Sequence, residues 1–217
     1  MDGVRAARRY ALARDGHVAF AELGADGRIR GVRTTAHYPS ASVVKAMLLV
    51  AALRRAGTRP LTTTERALLD PMIRVSDNAA AETVFDSVGH GGLLAVARVA
   101  GMRGFSVGAL FDAQLTAADQ VRFFVRIDRL VPPVHRAYAR ALLSGIVPAQ
   151  SWGIAPVARS RRFRVFFKGG WRTRITHQSA LLERAGQRMA LAVLTRSPSM
   201  AYGEASIAGV ASRVLAR

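Results

Sequence analysis

The chain contains no cysteine, only two lysines and few aromatic residues. Without cysteine it cannot form a disulfide, a thiolate metal site or a cysteine nucleophile. Phe, Trp and Tyr together make up 7% of the residues, and no helix-turn-helix, RNA-binding or zinc-finger signature accompanies them. The sequence therefore argues against specific nucleic-acid binding, which usually combines a basic face with aromatic residues for base stacking.

Long apolar runs are also missing. The longest, Ala46 to Leu53, is far shorter than the ~18 residues that a membrane-spanning helix needs. Met1-Asp2-Gly3 leads into an Arg-rich amphipathic stretch, where a signal peptide would have an apolar core. We therefore expect either a cytoplasmic protein or a mature form whose export signal has been removed.

Acidic residues are scarce. There are 14 Asp and Glu against 32 Lys and Arg, which gives a formal net charge of +18. Because Lys45 and Lys168 are the two lysines among these 32, the other 30 are arginines. Such a charge favours anionic surroundings. The arginines are spread along nearly the whole chain, however, and this is typical of a solvated basic surface.

The 217 residues, half of them apolar, are enough to bury a core. Apolar periodicity and turn residues predict the elements. Helices are predicted at 4–14, 42–56, from the capping box Thr62–Glu65 onward, and at 77–87, 91–100, 117–130, 134–143 and 203–216. Strands are predicted at His17–Leu23, Ile29–His37, Phe163–Phe167, Thr173–Leu182 and Arg188–Thr195, with turns at Gly169-Gly170 and Ala185-Gly186.

This order predicts a mixed α/β (α+β) fold. Strands from both chain ends form one antiparallel sheet flanked by the terminal helices, and an all-helical lobe is inserted between them. We expect residues 1–41 and 155–217 to form the α/β lobe and residues 42–154 the helical lobe. The two lobes form one functional unit with a site between them.

The first chemical motif is Ser42-Val43-Val44-Lys45, at the start of an apolar helix. Residues three apart share a helix face, so the amine can reach the hydroxyl. A serine at a helix N-terminus also directs its backbone N–H toward the position of an oxyanion. The alternative is an N-cap serine followed by a surface lysine, although a solvated lysine is less expected among Val43, Val44, Met47 and Leu48.

Two further motifs follow in the chain. Ser76-Asp77-Asn78 opens a helical segment, and by itself it is most simply a helix cap. Lys168-Gly169-Gly170 follows a strand pattern, and by itself it is a turn with a solvated lysine.

Together and in this order, the three motifs resemble the Ser-x-x-Lys, Ser-Asp-Asn and Lys-Thr-Gly set of class A β-lactamases and penicillin-binding proteins. Further likenesses are the segments 115–120, 167–171 and 190–195. The resemblance covers nearly everything from His17 onward and implies the β-lactamase/transpeptidase fold. It also implies the secreted, periplasmic or cell-wall side as the location, with a cytoplasmic location as the alternative.

The resemblance implies that Ser42 is the nucleophile that forms an acyl-enzyme and that Lys45, its pKa lowered by burial and a neighbouring cation, accepts the Ser42 proton. Ser76 would relay a proton to the leaving nitrogen, and Lys168 would hold this relay and a substrate carboxylate. The residues it implies for substrate binding and the oxyanion hole are Asn78, Gly169, Gly170 and Trp171, with the oxyanion N–H groups supplied by Ser42 and Trp171.

The chain departs from the class A pattern in two places. Class A enzymes place a glutamate in a loop after the Ser-Asp-Asn motif, where it activates the deacylating water. The corresponding interval, Gly101 to Thr116, contains no glutamate, and Asp112 is its one carboxylate. Gly169 stands where Thr or Ser is usual, which removes a hydrogen bond to a substrate carboxylate. We therefore expect an acyl-enzyme that forms but deacylates slowly.

Several other residues are weaker candidates. The five histidines show no metal-ligand spacing, so we expect no metal and no cofactor. His37 and His177 are candidates for the border of the site, and Arg172 or Arg174 for binding a carboxylate. Trp152 and Trp171 are candidates for lining a pocket, with Trp171 the better one.

Three functional hypotheses follow. The first is a β-lactamase-like serine hydrolase that acts on an amide or ester, such as a penicillin or a D-Ala-D-Ala-type acyl donor. The second is a true β-lactamase in which Asp112 or Lys45 activates water. The third is a non-catalytic protein that binds an anionic cell-wall polymer. The expected partner is a small-molecule or peptide substrate, with an anionic cell-wall polymer as a further partner, and we expect a monomer.

Overall fold

The computed structural model describes residues 2–216 and contains helices at both ends and through the middle of the chain. The helices are α1 (Asp2–Leu12), α2 (Lys45–Ala56), α3 (Thr63–Arg74), α4 (Asn78–Ala100), α5 (Ala117–Leu130), α6 (Arg136–Ser144), α7 (Ile154–Ser160) and α8 (Met200–Val214). The strands are β1 (His17–Leu23), β2 (Ile29–Val32), β3 (His37–Pro39), β4 (Gln114–Thr116), β5 (Arg164–Arg172), β6 (Ile175–Arg184) and β7 (Gln187–Arg196).

Strands from both ends of the chain form one antiparallel sheet, which confirms the predicted fold class. The strand order is β2-β1-β7-β6-β5. β1 pairs with β7 in the register His17↔Arg196, and β5 pairs with β6 in the register Lys168↔Ser179. The sheet thereby brings Lys168, more than 120 positions after Ser42, onto an edge strand beside the inserted helices.

Helices cover both faces of this sheet. In β7 every residue from Ala190 to Thr195 is buried, and because successive side chains of a strand point to opposite faces, both faces must be covered. α8 contacts β6 and β7 and packs against α1, while α5, from the inserted part of the chain, contacts β1, β6 and β7. The core is therefore continuous from the sheet into the inserted helices.

The second predicted strand differs in its extent. The second strand ends at Val32, and His37–Pro39 instead pairs with Gln114–Thr116 as a separate two-stranded sheet. The predicted helices at 77–87 and 91–100 correspond to the two segments of α4, which are separated by a kink at Gly89, where φ is 67°. The inserted part is therefore not wholly helical, since it includes one of these short strands.

The predicted turn at Gly169-Gly170 is wrong. β5 continues through both glycines to Arg172, and the chain reverses at Thr173-Arg174, where Arg174 has a φ of 61°. The short helix α7 was not predicted at all. Across residues 2–216, none of the helices is long and apolar enough to cross a membrane.

Candidate active site

Ser42 lies in a single 3-10 turn, Ala41–Val44, that leads directly into α2. The Ser42 side chain is half-buried, while its neighbours Ala41, Val43 and Val44 are buried in the core. Ala41 has a φ of 44°, a left-handed conformation that costs energy for a residue with a Cβ. The structure therefore holds the predicted nucleophile at a strained, well-packed turn.

Lys45 is the first residue of α2 and has no exposed surface. Its Nζ donates hydrogen bonds to the Ser76 backbone carbonyl at 2.5 Å, to Asn78 Oδ1 at 2.7 Å and to Ser76 Oγ at 3.2 Å. The second motif therefore supplies three oxygen acceptors to the amine of the first motif.

Ser76 precedes α4 in a conformation that a serine rarely adopts. Its φ is 60°, and the next residue, Asp77, caps α4 by accepting a hydrogen bond from the Ala80 N–H at 2.7 Å. The cap fixes the start of the helix. With the helix start fixed, the left-handed turn at Ser76 directs both its carbonyl and its hydroxyl toward Lys45.

Lys168 completes the cluster from β5. It is fully buried, and its Nζ donates to Ser76 Oγ at 3.1 Å and to the Gly169 carbonyl at 2.9 Å. The Ser76 hydroxyl therefore lies between the amines of Lys45 and Lys168. This arrangement allows a proton to pass between either amine and the hydroxyl.

Both amines have pKa values far below the 10.5 of an ordinary lysine. Burial lowers the pKa of Lys45 to about 8, although the negative charges of Asp77 and Glu82 act to raise it. Burial, and then the positive charge of Lys45, lowers the pKa of Lys168 to about 7. The charged forms are disfavoured because the amines have lost water as a solvent. Near neutral pH these two lysines can therefore act as proton acceptors.

Gly170 marks the closest approach of β5 to the Ser42 turn. A Cβ at this position would lie 2.7 Å from the backbone nitrogens of both Ser42 and Val43. Any other residue would force the strand and the turn apart. Trp171 is the next residue on this edge strand. The oxyanion hole formed by the N–H groups of Ser42 and Trp171 stays a prediction.

Gly169 has a different close neighbour. A Cβ at Gly169 would lie 3.1 Å from the ring of Trp152, so the indole closely approaches the place of the usual Thr or Ser side chain. The Trp152 ring meets that of Trp171 edge to face, with 6.2 Å between their centroids. An aromatic wall thus stands where class A enzymes have a hydroxyl.

Phe111, which sequence reasoning missed, faces Lys45. The Lys45 Nζ lies 5.2 Å from the centroid of the Phe111 ring. The neighbouring Asp112 is exposed and forms an ion pair with Arg172 at 2.6 Å. The one sequence feature that points to Phe111 is its position next to Asp112, the single carboxylate of residues 101–116. An aromatic ring, and not a carboxylate, therefore stands beside the amine.

The two histidine candidates have different surroundings. His177 is fully buried; its Nδ1 accepts from the Thr195 N–H at 3.0 Å, and its Nε2 therefore donates to the Pro39 carbonyl at 3.1 Å. Burial lowers the pKa of His177 to about 4, so the ring is neutral at physiological pH. It ties β6 and β7 to the segment before Ser42. His37 is exposed at the start of β3.

The described part of the chain, residues 2–216, contains no group of three or more histidine or acidic side chains that could hold a metal ion. Arg174, the remaining candidate for binding a carboxylate, is exposed at the turn between β5 and β6.

Known proteins resemble this chain in sequence and in fold. A model of the β-lactamase enzyme family matches residues 58–217, a span that includes Ser76 and Lys168 but begins after Lys45. No curated protein sequence matches the chain.

Solved structures with the same fold cover nearly the whole chain. A β-lactamase from Sphaerobacter thermophilus has a TM-score of 0.84 at 20% identity and covers 98% of this chain and 95% of its own. A β-lactamase from Desulfarculus baarsii has a TM-score of 0.79 at 23% identity and covers 100% of both chains. A variant of PBP-A, in an acyl-enzyme complex with penicillin G, has a TM-score of 0.84 at 16% identity, covering 98% and 94%.

Proposed function

Because the chain belongs to the β-lactamase enzyme family, we propose that it is a serine hydrolase that cleaves an amide or ester through an acyl-enzyme on Ser42. The acyl donor is a penicillin or a D-Ala-D-Ala-type peptide. The observation that carries the proposal is the chain of contacts Lys45–Ser76–Lys168 beside the Ser42 turn. Two buried amines that share one hydroxyl are costly to the fold and are explained by proton transfer.

The acylation step uses these groups in order. Neutral Lys45 takes the proton of the Ser42 hydroxyl, and the Ser42 Oγ forms a bond to the carbonyl carbon of the donor. The carbonyl oxygen gains the negative charge, which the N–H groups of Ser42 and Trp171 stabilise by a few kcal/mol. The bond from carbon to the leaving nitrogen or oxygen then breaks. The leaving atom takes a proton from Ser76, which is replenished from Lys45 or Lys168.

Deacylation is the slow step. It requires a base that activates water on the acyl-enzyme, and Phe111 lies beside Lys45, where such a base would act. Asp112 is paired with Arg172 at the surface, and the carboxylates that act on the Lys45 pKa are Asp77 and Glu82. This supports slow turnover over efficient β-lactam hydrolysis.

A Thr or Ser at position 169 would require the Trp152 ring to shift, because a Cβ there would lie 3.1 Å from it. A donor bound there meets an aromatic surface from Trp152 and Trp171 in place of a hydrogen-bonding hydroxyl. Enzymes with Thr or Ser at this position can form a hydrogen bond to a free carboxylate next to the scissile bond. We expect this chain to select for that carboxylate less strongly, because the missing hydrogen bond is worth about 1.5–3 kcal/mol when its partner is charged.

The time course of product release from a chromogenic cephalosporin tests this function. The expected result is a rapid release of about one equivalent of product per protein, as a single acylation event requires, followed by slow turnover. Ser42→Ala should show neither phase, and Ser106→Ala, an exchange of a serine away from the motifs, should retain both. Sustained rapid turnover would contradict slow deacylation, and the absence of any burst would contradict acylation by this donor.

A further inference from the structure

A cavity of about 800 Å³ lies outside the catalytic cluster. It is bounded by the start of β1, the segment that leads to the Ser42 turn, the turn between β5 and β6, and the end of β7. Neither Ser42 nor any of Lys45, Ser76 and Lys168 lines it. Its polar lining consists mainly of three arginines, two histidines and a tyrosine, namely Arg172, Arg174, Arg196, His17, His37 and Tyr38.

The charge of this cavity is of one sign. None of the described residues that line it is an Asp or a Glu. Within the described part of the chain, Arg174 and Arg196 form no ion pair with a carboxylate, and both line the cavity with exposed side chains. Six arginines elsewhere in residues 2–216 have an acidic partner, as Arg140 has in Asp128 and Glu183. The positive charges here are concentrated in a concave site, where low-dielectric walls strengthen their field.

The walls orient these cations. Arg196 lies over the ring of buried Tyr38, with 5.7 Å from its guanidinium carbon to the ring centroid. The Tyr38 hydroxyl is in turn hydrogen-bonded to His17 Nδ1 at 3.3 Å. Arg174 is held at the tip of the β5–β6 turn by its left-handed backbone. The positive field of Arg172 and Arg196 reaches the protein interior. It adds to the effect of burial in lowering the pKa of His177.

We propose that this cavity binds a small multivalent oxyanion, the phosphate or clustered carboxylate group of a ligand, through Arg172, Arg174 and Arg196. Guanidinium groups present planar pairs of N–H donors that match the oxygens of phosphate and carboxylate. His17 and His37 add ring nitrogens at the same cavity. The site is separate from the catalytic cluster, so the inference does not depend on acylation of Ser42.

Asp112 is a built-in competitor for this anion. Its carboxylate occupies one guanidinium nitrogen of Arg172, and 59% of its side chain is exposed. An exposed ion pair contributes little stability, so an entering anion can displace it. Removal of the Asp112 charge should therefore strengthen anion binding, whereas removal of the arginine charges should weaken it.

Isothermal titration calorimetry with pyrophosphate and with citrate, at constant ionic strength adjusted with NaCl, tests the proposal. The site variant is the double substitution Arg174→Gln and Arg196→Gln. The matched control is Arg5→Gln and Arg8→Gln, which removes the same charge from two exposed arginines of α1. Thermal unfolding of each variant verifies that it is folded.

We expect the wild type to bind at least one of the anions, the site variant to bind it roughly tenfold more weakly, and the control to bind it as the wild type does. Asp112→Asn should bind it several-fold more tightly. Tighter binding of pyrophosphate assigns a phosphate ligand, and tighter binding of citrate assigns a carboxylate ligand. Absence of binding to both anions, or equal losses in the site and control variants, would overturn the proposal.

Discussion

At the scale of single residues, the most telling feature is that the only two lysines of the chain, Lys45 and Lys168, are both buried. An exposed cation in this protein is always an arginine, which cannot release its proton under physiological conditions. A buried amine costs stability because its charged form has lost hydration. We infer that lysine has been used only where a reversible proton is needed, at the two sides of the Ser76 hydroxyl.

The pH dependence of acylation tests the role of Lys45. Because its pKa is lowered to about 8, the amine is protonated below that pH and cannot accept the Ser42 proton. The second-order rate constant of acylation should therefore rise about tenfold per pH unit below pH 8 and level off above it.

Lys45→Arg is the matched variant, because it retains a cation that cannot act as a base. We expect it to lose about a thousandfold in the acylation rate constant. A rate constant in the wild type that is independent of pH between 6 and 9, or an arginine variant that retains the wild-type rate, would count against Lys45 as the base.

At the scale of secondary-structure elements, the sequence predicts best what local rules determine. β1 was predicted at its observed bounds, and the capping box at Thr62 and Glu65 is present. The turn at Gly169-Gly170 was wrong because these glycines serve close approaches by Trp152 and by the Ser42 turn, which are remote in the sequence. The three-residue strands β3 and β4 are too short to show an alternating pattern.

The members of the candidate site could be proposed from their sequence motifs. The spacing of Ser42 and Lys45 places both at one helix start, and the resemblance to a known set supplied the other members. Phe111 could not be predicted, because no local pattern brings an aromatic ring from a loop onto an amine in α2.

His177 connects the sheet to the strand that precedes Ser42, and this connection can be tested by its effect on stability. The folded ring has a pKa of about 4, below the 6.5 of the unfolded state. The unfolded state therefore binds an extra proton between these values, and stability falls as the pH decreases from 6.5 to 4.

The free energy of unfolding is measured with denaturant at pH 7 and at pH 5. The wild type should be less stable at pH 5, and the loss should be about 2 kcal/mol smaller in His177→Gln. His37→Gln, which changes an exposed histidine of β3, is the control and should behave as the wild type. An equal loss in His177→Gln and the wild type would mean that His177 is not held neutral in the fold.

At the scale of the whole molecule, the site combines residues from the inserted part of the chain with one from the sheet. Ser42, Lys45 and Ser76 come from the inserted part, and Lys168 comes from the edge strand β5. We propose that the predicted α/β and helical lobes act as one unit, because separating them would dismantle the cluster. The chain has a net charge of +18, which should attract anionic donors from a distance.

The salt dependence of acylation tests this attraction. A penicillin carries a carboxylate, so its second-order rate constant of acylation should fall about threefold between 50 mM and 500 mM NaCl as the field is screened. An uncharged ester donor should show almost no change. Equal responses of the charged and uncharged donors would mean that the net charge does not steer substrates to the site.

The central claim is that Ser42 forms a covalent acyl-enzyme, and intact-mass spectrometry after incubation with a penicillin tests it most directly. Because the β-lactam ring opens without losing an atom, the protein mass should increase by the full mass of one penicillin molecule. Ser42→Ala should show no increase, and Ser106→Ala should show the same increase as the wild type. An unmodified wild-type protein, or an adduct that persists in Ser42→Ala, would contradict the account.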